Sequence, residues 1–133
     1  MPHGKLVYEG QGLSLDILIT LNHRKREVQA TARIDTGCTP AALLAREVGE
    51  DWGEPVGEDE VNLADGRSAP VDVYLAYLRL PNQPRAKRPK EVMRFKQYCP
   101  GQESLLGLGW LQDFEVCLEA GTTLRLYGLA TRD

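Results

Sequence analysis

The chain has 133 residues, of which 42% are apolar and 26% charged, with a formal net charge of -3. That length supports one hydrophobic core and not two, so residues 1–133 are expected to form a single domain. Bulk charge draws the chain toward neither nucleic acid nor membrane. No apolar run approaches the roughly 20 residues of a spanning helix, and the amino-terminal MPHGKLVYEGQG lacks the apolar stretch of a secretory signal, so a cytoplasmic protein is expected.

In chain order, Leu15, Ile17, Ile19 and Leu21 recur at every second position between Ser14 and Leu21, the period of a half-buried strand. After the polar Asn22 to Arg26, Val28, Ala30, Ala32 and Ile34 alternate in the same way. The pair reads as a β-hairpin that delivers Asp35 at its end. Ala41 to Val48 contains good helix formers followed by Gly49, which predicts a short helix or helical turn. Acidic residues then crowd positions 47 to 60. Val61 to Ala64 and Ser68 to Leu80 flank Asp65-Gly66, the dipeptide suited to a two-residue type I′ turn, so a second hairpin is expected.

Between Pro81 and Pro100 the pattern is lost among prolines and the cations Arg85, Lys87, Arg88, Lys90, Arg94 and Lys96, although Glu91 to Tyr98 fits an edge strand. A solvated loop is the commoner meaning of such a stretch; phosphate binding and pairing with the acidic loop are its alternatives. Ser104 to Leu111 reads as a buried strand turning through glycine into a short helix. Phe114, Val116 and Leu118 alternate next, and Leu124 and Leu126 follow a Gly121-Thr122 turn, closing the chain as a hairpin. Many short strands with one or two helical turns predict an all-β, closed or nearly closed barrel.

Among residues with chemistry to offer, Cys38, Cys99 and Cys117 are odd in number and lack close spacing, which argues against a disulfide framework or a zinc site. Cys38 reads as a small buried thiol. His3 and His23 stand apart, so neither a metal cluster nor a Ser/His/Asp triad is expected from them. Trp110 and Phe114, at helical spacing, read as core. The remaining candidate is Asp35-Thr36-Gly37, placed after an apolar strand and before the small-residue run Pro40-Ala41-Ala42.

The ordered set of Asp-Thr-Gly, an Asp-Gly hairpin and a later Leu105-Leu106-Gly107 resembles the retropepsin-like aspartic proteases, the single-domain, homodimeric relatives of pepsin, over about residues 13 to 128. The resemblance implies Asp35 as the catalytic acid with Thr36 and Gly37 as its supports. It also implies Ala64, Asp65, Gly66 and Arg67 as the tip of a flap over the substrate, and Leu105, Leu106 and Gly107 as the element packed beneath the catalytic loop. A plain surface hairpin demands the same Asp65-Gly66 chemistry as a flap tip. Cys38 stands where the family usually has Ala or Ser, and Leu108-Gly109 lacks the polar residue often found after that glycine.

With one Asp-Thr-Gly per chain, a two-carboxylate mechanism requires a homodimer. The resulting expectation is an aspartic endopeptidase that hydrolyses polypeptides without metal or organic cofactor and binds neither nucleic acid nor membrane. The rivals are a non-catalytic dimerisation or peptide-binding module of the same fold, and a nucleic-acid-binding role through Arg85 to Lys96.

Overall fold

The computed structural model describes residues 4–22, 26–84 and 86–129. His3, His23 and Arg85 lie outside them. The first expected hairpin is present as β2 (Ser14–Leu21) and β3 (Glu27–Ile34), paired in register from Ser14 opposite Arg33 to Thr20 opposite Glu27. The alternation has its expected physical meaning: Leu15, Ile17, Ile19, Ala30, Ala32 and Ile34 are buried. A strand the sequence reading passed over, β1 (Leu6–Gln11), precedes them.

The segment after Asp35 departs from expectation. Ala42–Leu44 is a strand, β4, and Ala45 to Val48 is only a turn, with the Val48 N–H donating to the Ala45 carbonyl at 3.1 Å. Helix preference among ordinary residues is worth a few tenths of a kcal/mol each. Complete burial of Leu44 alone stabilises by about 2 kcal/mol, and β4 lies between two partner strands in which all its residues are buried. Tertiary burial wins.

Next come β5 (Gly57–Asn62), β6 (Ser68–Arg79) and β7 (Lys90–Phe95). The expected edge strand after the proline-rich loop is instead interior, since β7 pairs with β4 on one side and β6 on the other. Its run Val92-Met93-Arg94-Phe95 is buried throughout, which a strand covered on both faces requires. Arg94 is accommodated by donating through Nη2 to the carbonyls of Arg46 at 2.7 Å and Gly49 at 3.2 Å, with its guanidinium 5.1 Å from the Trp52 ring centroid. Burial, then the nearby Arg46, lower its pKa. The acidic loop is thereby fastened to the barrel.

The chain continues through β8 (Leu105–Leu106), the helical turn α1 (Leu108–Leu111), β9 (Phe114–Glu119) and β10 (Thr123–Gly128). The turn between β9 and β10 is centred on Ala120 and Gly121, both at positive φ, one residue earlier than expected. Hydrogen bonding orders one sheet β2-β3-β8-β4-β7-β6-β5, and a β2–β6 pairing closes its first six strands into a barrel. β5 hangs from β6 outside the ring. A separate three-stranded sheet runs β1-β10-β9, with Leu124 and Leu126 buried in the main core. Among the described residues, no helix is long and apolar enough to cross a membrane.

Candidate active site

Asp35 follows β3 directly, and its N–H donates to the Leu106 carbonyl at 2.9 Å, extending the β3–β8 pairing by one residue. The chain then turns: the Cys38 N–H donates to the Asp35 carbonyl at 3.1 Å, and the Gly37 N–H donates to Asp35 Oδ1 at 2.8 Å. A Cβ on residue 37 would lie 3.2 Å from that oxygen, so glycine permits the close donation. Asp35 is half-buried, and Thr36 and Gly37 are exposed.

The loop is gripped from behind. Gly107, Leu108 and Gly109 donate their N–H groups to the carbonyls of Ala41, Cys38 and Thr39 at 3.0, 2.8 and 3.1 Å. A Cβ on residue 107 would stand 2.2 Å from the Pro40 oxygen and 2.3 Å from the Cys38 oxygen. One on residue 109 would meet the Ala41 nitrogen at 2.8 Å. Leu105, Leu106 and Gly107 therefore lie against the Asp35 loop, and Gly109 belongs with them. The repeated glycine in Gly107-Leu108-Gly109 was the available signal for it.

Cys38 is buried beside this loop, in a second, smaller core with Leu43, Ala69, Val71, Met93 and Phe95. Burial and, secondarily, the Asp35 charge push its thiol up to about 11. A protonated thiol is a poor nucleophile at neutral pH. The folded state favours the neutral form, so this group's stabilisation is lost as pH rises from 9.0 toward about 11. Iodoacetamide at pH 8 should leave Cys38 of the folded protein unmodified while labelling it readily in urea; equal labelling of both states, read by peptide mass mapping, would contradict this environment.

The hairpin between β5 and β6 differs from the expected two-residue turn. Gly66 is at positive φ and Asp65 is not. The Gly66 N–H donates to the Leu63 carbonyl at 3.0 Å and the Leu63 N–H to the Arg67 carbonyl at 2.7 Å. This is a three-residue loop with glycine in the left-handed position, the other common hairpin solution. Asp65 accepts from the Arg67 backbone N–H at 3.0 Å and pairs with its guanidinium at 2.7 Å, which lowers the Asp65 pKa. Ala64, Asp65, Gly66 and Arg67 are all exposed.

Two clefts open on this side of the barrel. One, of about 360 Å³, lies between the hairpin residues Leu63, Ala64, Asp65 and Arg67 and the stretch from Gln97 to Gln102. The other, of about 390 Å³, is lined by Asp35, Arg33, Glu103 and Leu105. Both share Gly101 and Gln102. Asp35 and the hairpin thus lie in separate clefts joined by the segment preceding β8; the strand expected over Glu91 to Tyr98 ends at Phe95, and Gln97 and Tyr98 line the hairpin's cleft instead. Pro100-Gly101 was the only local cue to the joining segment.

Three cations of the basic stretch, Lys90, Arg94 and Lys96, are engaged by intramolecular contacts. Lys90 pairs with Asp113 at 2.9 Å, Arg94 is buried, and Lys96 bridges Glu58 and Asp72. One of the expected alternatives, pairing with the acidic segment, is realised in the Lys96–Glu58 contact. Among the described residues, no group of three or more His, Cys, Asp or Glu side chains is placed to hold a metal ion.

A closed barrel carrying an Asp-Thr-Gly loop, gripped by an apolar-apolar-glycine strand, has the architecture of a retropepsin-like all-β protein. A retropepsin-like aspartic protease from Rickettsia conorii has a similar crystal structure, with a TM-score of 0.52 over 98% of this chain and 100% of that one, at 13% identity. The likeness at that identity is one of fold. No family model matches the chain. No curated protein sequence matches it.

Proposed function

We propose that two copies of this chain form an aspartic endopeptidase, each contributing Asp35 to a water-activating dyad. The observation that carries this reading is the Asp35 loop itself, with its carboxylate accepting from Gly37 and its backbone fixed by Gly107, Leu108 and Gly109. A carboxylate so held is oriented before substrate arrives, which proton transfer requires. One ionised Asp35 takes the proton from water while its protonated twin hydrogen-bonds the scissile carbonyl. Thr36, exposed at the loop tip, is suited to bond across the twofold to the partner's loop. The hairpin at Ala64 to Arg67 covers the bound polypeptide.

Dimerisation is supported by uncovered apolar surface. In β9, Val116 is 43% and Leu118 48% exposed, yet they pair directly with Leu126 and Leu124, which are completely buried. Directly paired residues point to one face of a sheet. The core-facing side of this sheet therefore runs beyond its own core at the free edge of β9, and a second copy is the occupant that also completes the dyad. Leu118→Lys should weaken the dimer at least about tenfold while leaving the exposed-edge monomer folded. Sedimentation equilibrium reads this directly; an unchanged dimer constant would remove β9 from the interface.

The non-catalytic peptide-binding reading is favoured by Cys38 and by Leu108, which is 45% exposed beside the loop where a polar residue is common in the resembled family. Incubating the protein with a mixed peptide library, with and without a pepstatin-type inhibitor, separates the two. Inhibitor-sensitive cleavage supports the protease, and binding without cleavage supports the module.

A further inference from the structure

The cleft beside Asp35 is charged. Arg33, the penultimate residue of β3, is held by its N–H to the Ser104 carbonyl at 2.9 Å. Its guanidinium faces the Glu103 carboxylate at 3.8 Å, with side-chain exposures of 54% and 62%. Ser104 is itself buried, and its hydroxyl accepts from the Ala45 N–H at 3.0 Å. The two charges therefore spring from a fixed backbone, while their ends are too far apart for a direct hydrogen bond. Gln102 completes the rim, its side-chain amide donating to the Glu103 carbonyl at 3.2 Å.

Resting on the proteolytic reading, we propose that this cleft is a specificity subsite for carboxamide side chains, glutamine or asparagine, flanking the scissile bond. An amide oxygen accepts from Arg33 while the amide nitrogen donates to Glu103, so both charges remain satisfied when the peptide displaces water. A large apolar side chain instead strips water from the pair and offers nothing in return. An acidic side chain gains Arg33 but meets Glu103 and the Asp35 charge, and a basic one gains Glu103 but meets Arg33. Only the neutral donor-acceptor fits every charge present. With twofold symmetry, each subunit presents one such cleft, so both residues flanking the bond are read.

The test uses wild-type protein and peptides in which the scissile amide is replaced by a non-cleavable reduced CH2–NH link. The two flanking residues are Gln, Glu, Lys, Leu or Phe in an otherwise constant sequence. The Gln analogue should bind about tenfold more tightly than the Leu and Phe analogues, a preference moderated by solvent at an open rim. In the Arg33→Leu, Glu103→Val double variant, both changes at exposed positions, the order should invert. Preference for Leu, Phe, Glu or Lys in the wild type, an order unchanged by the double variant, or no binding of any analogue would each overturn the assignment. Binding in the expected order without cleavage of the parent amides would uphold the subsite and defeat the protease reading alone.

Discussion

Asp35→Asn should fold and dimerise like the wild type and lose at least about a thousandfold in kcat/KM. The amide is nearly isosteric with the carboxylate, and its oxygen still accepts from the Gly37 N–H seen at 2.8 Å. The loop therefore keeps its shape. An amide cannot take a proton from water, and positioned acid-base groups contribute about 100-fold to 10,000-fold. Retained turnover would place the chemistry elsewhere, and a monomeric variant would mean that the carboxylate holds the dimer together.

Gly107→Ala should be among the most damaging substitutions in the barrel. Its Cβ would sit 2.2 Å from the Pro40 oxygen and 2.3 Å from the Cys38 oxygen. Both obstacles are backbone and cannot rotate aside, so the Asp35 loop or β8 must move by about an ångström to reach ordinary contact distance. Overpacking of this kind costs about 3 kcal/mol, a fall in Tm on the order of 10 °C. Displacement of the loop should abolish cleavage as well. Gly57→Ala is the control, since its Cβ would meet only the Val73 side chain at 3.9 Å. Equal melting temperatures for the two variants would mean that the glycine is not what lets β8 approach the loop.

The sequence was most legible where one face of a strand is buried and the other is wet. β3 alternates along most of its length and β2 does so from Ser14 to Ile17 before Ile19, Thr20 and Leu21 are all buried, and their boundaries follow from Leu15 to Leu21 and from Val28 to Ile34. Legibility failed where both faces are covered. Ala42–Leu44 and Val92–Phe95 carry no period, because every residue is buried, and local helix preference or proline content then misdirects. Turn type was read only to the level of glycine. Asp65-Gly66 fits a two-residue or a three-residue loop, and the Leu63–Arg67 pairing that selects the longer one is set by the register between β5 and β6.

At the site, Asp35, Gly37 and Gly107 stood out because their neighbours in sequence constrain them. Gly109 and the segment from Gly101 to Glu103 did not, since the first meets the loop at Ala41 and the second lines the Asp35 cleft only through the packing of β8 and α1. The charged character of the cleft was equally hidden. Arg33 reads as the solvent-facing half of an alternating strand, and Glu103 as a loop carboxylate. Their meeting beside Asp35 follows from the parallel pairing of Arg33 with Leu105.

The shared dyad is the central claim, and mixed dimers test it most directly. Wild-type chains at fixed concentration are titrated with excess Asp35→Asn chains, and peptide cleavage is followed after exchange, with heterodimer content measured by native mass spectrometry. One intact Asp35 per dimer supplies either the base or the acid but not both. Activity should fall in step with loss of the wild-type homodimer, toward zero when nearly every wild-type chain has a variant partner. Activity that instead stays proportional to the number of wild-type chains would show that each subunit works alone, contradicting the shared dyad.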